Sequence, residues 1–334
     1  MRAVTTVGDG TIELREHPDP EPKAGEVLVQ VAGAGLNRAD LMQRAGFYPA
    51  PPGSPPDIPG MEFAGTIAAL GDGASQGAEH LRVGAEVFGI VGGGAQAELL
   101  IVPTGQCALV PPGLDLTAMG GVPEAFVTAH DAMCTQAAVA PGDWVLVHAV
   151  GSGVGTTALQ LAKALGARVV GTSRSAAKLE QCVPLGLDHG IVPPSTADGD
   201  LDVGALAAEI TEVTGGGANV VLDLVAGRYV EADVLAAATG GRIVLIGALA
   251  GGQATLQVLT VMQKRLRMFG TVLRPRSLAE KTTASEAFVR DVVPLLADGT
   301  IAPVIEAVLP LADATEAYDR LASDATVGKI ILQA

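Results

Sequence analysis

Cysteine is scarce and unpatterned in this chain of 334 residues. Cys107, Cys134 and Cys182 are odd in number, far apart and outside any Cys-x-x-Cys spacing. That excludes a disulfide framework and a cysteine zinc cluster. As free thiols they are poor nucleophile candidates, since unpaired cysteine commonly behaves as a small buried hydrophobe. Histidine is equally thin: His17, His80, His130, His148 and His189 show no paired ligand spacing. Basic residues are outnumbered 21 to 36, for a formal net charge of −15. This disfavours broad nucleic-acid contact, which depends on neutralising phosphates, but leaves room for one local basic pocket. No apolar run reaches the roughly 18 residues that a membrane span needs. Met1–Val7 leads into Gly8-Asp9-Gly10 without the apolar core of a secretion signal, so the expected location is cytoplasmic. A Ser/His/Asp triad, paired carboxylates and a redox dithiol are all missing from the pattern.

What the chain has is apolar mass and alternation. At 49% apolar it can bury a large core, and its length suggests two domains. The first 120 or so residues read as β-rich. Val27, Val29 and Val31 alternate with Leu28 and Gln30, and Phe63–Leu70, Val87–Val91 and Leu99–Val102 are further strand candidates. Pro/Gly clusters at Tyr48–Gly53 and Ser54–Gly60 punctuate them. A helical stretch is expected from about Thr117 to Ala138. Thereafter strands and helices alternate. Arg168–Thr172, Val220–Val225, Arg242–Gly247 and Met268–Leu273 read as strands; Ser175–Val183, Leu278–Asp298 and Ala312–Ala322 read as helices. Continuous apolar strands of this kind suit a parallel sheet covered on both faces. The closing Lys329–Leu332 strand is expected to return to the first domain's sheet.

The most informative stretch is Asp143–Gly155. Trp144–Val147 reads as a buried strand, a glycine-rich turn follows, and Thr156–Leu165 reads as a helix closed by Gly166. Strand, glycine turn and helix N-terminus together make an anion site, and with the next strand they open a dinucleotide-binding βαβ unit. Gly151, Ser152, Gly153 and Val154 would meet the pyrophosphate. The spacing is not a literal G-x-G-x-x-G, because Val150 and Ser152 hold the first two glycine positions; the flanking elements carry the assignment. Enzymes selective for the unphosphorylated nucleotide usually place a carboxylate at the end of the second strand. Here the strand runs into Ser173 and Arg174, with Lys178 one helical turn on. A hydroxyl and two cations point instead to a 2′-phosphate, and hence to NADPH. Val225, Ile246 and Gly247, at later strand ends, should line the nicotinamide riboside, because ligands sit at the carboxyl ends of such strands.

Several blocks then carry a family resemblance. They are Asn37–Gly46 followed by Phe47-Tyr48, Pro59–Gly65, Pro123–Ala129, the His148–Gly155 loop and Gly328-Lys329-Ile330. In this order they span nearly the whole chain, and it resembles the zeta-crystallin-like quinone oxidoreductases, the zinc-free branch of the medium-chain dehydrogenase/reductases. The resemblance implies an α/β fold: a Rossmann doubly wound parallel sheet over residues 123–274, plus a β-rich GroES-like catalytic domain from residues 1–122 and 275–334. It places Thr128 and Thr326 among the cofactor contacts. The family often supplies a tyrosine after the helix that follows the second strand, and Gly190–Pro194 has none. Zinc-dependent relatives carry a cysteine where Asn37 stands and a histidine where Met61 stands; with Glu62 alone remaining, no metal is expected.

The implied activity is NADPH-dependent reduction of small quinones in an interdomain cleft. Tyr48 would donate to the acceptor oxygen, and Asn37 would contribute an amide or else stabilise a turn. Alternatives are reduction of enones or enoyl thioesters, and a non-catalytic, crystallin-like NADPH-binding role. A homodimer is expected through the edge strand at Met268–Leu273. Membrane partners are not expected, and nucleic acid is disfavoured by charge.

Overall fold

The computed structural model describes residues 1–76 and 78–334. The chain forms two compact units, residues 1–127 with 273–334 and residues 128–272. Among the described residues no helix is long and apolar enough to cross a membrane.

The first unit is built on a seven-stranded sheet. Its centre is the long strand Glu26–Gly35, where Val27, Val29 and Val31 point into the core while Gln30 is exposed. This is the alternation of a sheet with one buried face. Glu62–Leu70 and Leu99–Pro103 pair with it antiparallel. Phe63, Ile67, Val87, Leu100 and Val102 fill the core beneath. Lys329–Gln333 does return here, lying between Glu26–Gly35 and Ile305–Pro310. A second core of Leu36, Leu311, Tyr318, Ile330 and Leu332 seats the helix Ala314–Ala322 against this strand.

The second unit is a six-stranded parallel sheet. Counted in chain order its strands are Trp144–Val147, Arg168–Thr172, His189–Ile191, Ala218–Asp223, Ala237–Leu245 and Arg267–Gly270. The nearest-neighbour order runs from the His189 strand through the Arg168 and Trp144 strands to the Ala218, Ala237 and Arg267 strands. This is the doubly wound order that reverses direction beside the first strand. Val145–Val147, Val169, Val170, Val220–Leu222, Ile243 and Val244 are all fully buried, as helices on both faces require.

Three sequence expectations need correction. The helix expected over Thr117–Ala138 is broken into Leu116–Met119, Pro123–His130 and a π-helical turn, Asp131–Gln136. Gly120 explains the first break: a Cβ there would lie 2.3 Å from the Gly33 carbonyl oxygen, so the backbones touch. Pro123 then restarts the helix at a position where its missing N–H costs nothing. The helix expected over Leu278–Asp298 divides into Leu278–Asp291 and Val293–Ala297, because Pro294 cannot continue the hydrogen-bond ladder. The last parallel strand spans Arg267–Gly270 rather than Met268–Leu273. It stops where the Thr271 hydroxyl turns to donate to Asp131 Oδ2 at 3.0 Å.

Candidate functional site

In residues 128–272 the site is assembled at the carboxyl ends of the parallel strands. After Trp144–Val147 the chain turns sharply, with Ala149 in the left-handed region at φ 51°. Val150 N–H donates to the Thr172 carbonyl at 3.0 Å, tying the turn to the second strand. The helix begins at Gly153, three residues before the expected start, because Ser152 caps it by accepting from Gly155 N–H at 3.1 Å. The glycine turn and the first helical turn are therefore the same residues. Gly155 is a packing glycine, since a Cβ there would fall 2.5 Å from the Ala149 carbonyl oxygen. First-turn N–H groups such as those of Gly153 and Val154 have no intrahelical acceptor and favour an anion. Gly151, Ser152, Gly153 and Val154 thus fit a pyrophosphate.

The second strand ends at Thr172. Ser173 is buried and its Oγ accepts from Ser175 N–H at 3.2 Å. Arg174 is exposed and Lys178 half-buried on the following helix, and no carboxylate lies between Thr172 and Lys178. Val225, Ile246 and Gly247 follow the ends of two further strands. Ile246 and Gly247 N–H groups both donate to the Asp223 carbonyl, at 2.7 and 3.3 Å. Gly247 has no room for a side chain, a Cβ lying 2.5 Å from the Leu224 carbonyl oxygen. Thr128 is buried in the helix Pro123–His130, directly before the π-helical turn. Beneath these loops lies a buried polar group that sequence reasoning missed. His148 meets Thr172 Oγ1 through Nδ1 at 2.8 Å and Asp233 Oδ1 through Nε2 at 2.7 Å. Asp223 Oδ1 accepts from the N–H groups of Val225 and Ala226 at 2.7 and 2.8 Å. The available signal was an aspartate inside each of two apolar runs, Val221–Leu224 and Ala232–Val234.

In the other unit Asn37 and Tyr48 bracket the short helix Arg38–Arg44 and the turn after it. The Asn37 amide is committed within the protein: Nδ2 donates to Glu62 Oε1 at 2.8 Å and Oδ1 accepts from Lys329 Nζ at 2.7 Å. Lys329 also donates to the Leu36 carbonyl at 2.7 Å and pairs with Glu62 at 2.5 Å. Glu62 Oε2 accepts from Glu124 N–H at 2.8 Å, joining this cluster to the start of the Pro123 helix. Burial, with the Glu62 charge next in weight, pushes the Glu124 carboxyl up to about 7. Burial likewise raises Asp40 to about 6. Tyr48 is half-buried, with the Arg274 guanidinium 5.0 Å from its ring centroid. Arg274 donates to the Tyr48 carbonyl at 3.2 Å, Gln43 Oε1 at 2.6 Å and the Gly92 carbonyl at 2.9 Å, so it fixes the whole loop. Burial keeps the Tyr48 phenol protonated to higher pH than a free tyrosine. Thr326 lies in the loop before the strand Lys329–Gln333, and its neighbour Val327 donates through its N–H to Glu306 Oε2 at 3.2 Å.

Asn37, Met61 and Glu62 do not fit a catalytic zinc. One amide, one thioether and one carboxylate are a poor donor set, and a lysine ammonium already satisfies the amide oxygen and the carboxylate. Among the described residues no group of three or more His, Cys, Asp or Glu side chains could hold a metal. Sequence reasoning missed Lys329 and Arg274 as parts of this site. A lysine opening the apolar run Ile330–Leu332 was the signal for the first; nothing local marks the second.

Residues 153–288 match the zinc-binding dehydrogenase family, and residues 23–112 the alcohol dehydrogenase GroES-like domain. The quinone oxidoreductase of Thermus thermophilus, solved alone and with NADPH, is 31% identical, with all of both chains covered and a TM-score of 0.82. A mycobacterial protein solved in complex with NADPH is 28% identical, again over all of both chains, with a TM-score of 0.87. A phenolphthiocerol/phthiocerol polyketide synthase of Mycobacterium tuberculosis is 30% identical over 326 residues. That match takes in 96% of this chain but only 14% of the synthase polypeptide.

Proposed function

This chain belongs to the medium-chain dehydrogenase/reductase superfamily, and we propose that it is a zinc-independent, NADPH-dependent quinone oxidoreductase of the zeta-crystallin-like branch. The observation that carries the reading is the closure of the Asn37–Glu62 pair by the Lys329 ammonium. With no metal seat among the described residues to polarise a carbonyl, the acceptor must be electrophilic enough to accept hydride unaided. Quinones meet that demand better than simple ketones. Bound NADPH supplies the hydride. Gly151–Val154 hold its pyrophosphate, and Ser173, Arg174 and Lys178 its 2′-phosphate. Thr128, Val225, Ile246, Gly247 and Thr326 complete the cofactor contacts. Tyr48 donates its phenolic proton toward the acceptor oxygen as charge develops there. Asn37 acts through Glu62 and Lys329, keeping the floor of the acceptor site rigid.

The test is a turnover screen with NADPH and NADH against quinones, enones, enoyl thioesters and simple ketones, on protein whose zinc content has been measured. NADPH-dependent quinone reduction with far less than one zinc per chain is expected. Enone or thioester reduction without quinone reduction would move the protein to another activity on the same fold. Tight NADPH binding without turnover on any acceptor would make it a binding protein. Arg174→Ala should weaken NADPH by about 1–3 kcal/mol while sparing NADH, the scale of one charge-assisted hydrogen bond. Equal losses for both nucleotides would remove Arg174 from the phosphate site.

We also propose a cytoplasmic homodimer. Arg267–Gly270 is the edge strand of the parallel sheet, and the helix Val258–Lys264 just before it exposes Val258, Leu259 and Met262. An unpaired edge beside an apolar patch suits an isologous contact. Sedimentation at micromolar concentration should give a dimer, and a monomer would refute the assignment.

A further inference from the structure

Asp223 and Asp233 are both fully buried in the parallel-sheet unit. Asp223 uses Oδ1 to accept from the Val225 and Ala226 N–H groups, and Asp233 uses Oδ1 for His148 Nε2. Their Oδ2 atoms are buried and have no donor among the described residues. The two carboxyl groups lie within hydrogen-bonding reach of each other. Two ionised carboxylates so placed would repel and would leave two buried acceptors unsatisfied. One proton between them satisfies both, because a protonated carboxyl becomes a donor.

We propose that Asp223 and Asp233 share one proton, and that this acid–carboxylate pair positions the Val225–Gly227 loop for NADPH. The second half rests on the cofactor reading above; the shared proton does not. Asp223 grips the loop through its side chain and, through its carbonyl, holds Ile246 and Gly247 as well. The loop needs such a hold, since Ala226 and Gly227 sit at φ 56° and 59° in the left-handed region. Asp223 and Asp233 are thus positioning residues.

The groups facing the pair are His148, at the end of the Trp144 strand, and Tyr229, on the same helix as Asp233. The Tyr229 ring packs edge-on against the imidazole at 4.8 Å between centroids. Burial raises the Tyr229 phenol, so it stays neutral; Arg174 acts on that phenol in the opposite sense. Burial is the strongest single influence on His148 and opposes its charge, yet the Asp233 charge and hydrogen bond, with the Asp223 charge, together outweigh it and the imidazole titrates above its usual range. Burial above all pushes Asp233 up to about 7, with Asp223 adding to the rise and His148 opposing it. A carboxyl raised in the folded state contributes stability that is complete below its unfolded value, 3.8, and lost as pH rises through about 7. Above that pH the pair repels itself and the loop loosens.

Asp233→Asn tests this directly. An asparagine can keep its oxygen on His148 and donate permanently from its amide to Asp223. Infrared difference spectra between Asp233→Asn and wild type should show that the variant has lost a buried protonated-carboxyl band. Wild-type affinity for NADPH, read by fluorescence titration, should fall about tenfold as pH rises through 7, the weight of one pKa unit. The Asp233→Asn affinity should change much less, and titration of the nucleotide's own phosphate is common to both proteins. Asp233→Leu should bind weakly at every pH. Without nucleotide, the thermal midpoint of wild type should drop relative to Asp233→Asn between about pH 4 and pH 7. No carboxyl band, or parallel pH curves for wild type and Asp233→Asn, would overturn the proposal. A band that Asp233→Asn removes, in a protein with no affinity for NADPH, would leave the shared proton standing and sink the cofactor reading instead.

Discussion

Lys329→Met should destabilise the fold by about 3–5 kcal/mol, the scale of breaking a buried ion pair. Lys329 and Glu62 are 5% and 0% exposed, so neither charge has water to turn to. The ammonium satisfies three acceptors at once: the Leu36 carbonyl, Asn37 Oδ1 and Glu62 Oε1. Methionine fills similar volume but removes the ammonium donor from the Leu36 carbonyl and Asn37 Oδ1 and leaves Glu62 Oε1 with the Asn37 amide alone. The penalty belongs to the stranded carboxylate, so Lys329→Met with Glu62→Gln should recover a large part of it. Denaturant midpoints of the two single variants and the double variant form the cycle. A loss below about 1 kcal/mol for Lys329→Met, the worth of an exposed pair, would show that the cluster is hydrated in solution.

Tyr48→Phe should lower quinone turnover roughly 10- to 1000-fold with little change in NADPH affinity. The substitution removes one oxygen and leaves the ring under Arg274, so the loop keeps its shape. Burial, reinforced by the Glu124 charge, holds the phenol protonated through the neutral range, while Arg274 opposes that rise. The hydroxyl is therefore a donor through the neutral range. Steady-state assays of wild type and Tyr48→Phe with the same quinone decide the matter. Unchanged turnover would make Tyr48 a wall of the site, with the proton coming from water.

The valine alternation at Val27, Val29 and Val31 and the apolar runs at Val145–Val147 and Val220–Leu222 announce their strands because burial acts on each residue locally. The helix start at Gly153 was hidden for the opposite reason. Glycine is a poor helix former, and only the Ser152 cap and the space beneath Gly155 make a helical first turn there worthwhile. The Ala237–Gly241 part of its strand was likewise invisible, since small residues carry no strand signature and the pairing with Ala218 supplies the order. For the candidate site, the glycine turn between strand and helix is legible in the sequence and the side-chain partnerships are not. Asn37 was visible as a polar residue in a motif, but its commitment to Lys329 depends on a strand nearly three hundred residues away. In the sequence His148 is a histidine without ligand spacing; its partner Asp233 lies on a helix that only the folded sheet brings beneath it.

The strand Lys329–Gln333 sits inside its sheet rather than at the rim, flanked on both sides by earlier segments. During synthesis residues 128–272 leave the ribosome as one uninterrupted stretch, with every strand of their sheet already in hand. The other unit must wait with a gap between Glu26–Gly35 and Ile305–Pro310 until translation has passed residue 333. The cation that balances Glu62 rides on that late strand. An intermediate at that stage therefore carries a finished parallel-sheet unit together with a first unit that still lacks both this strand and the buried positive charge it brings.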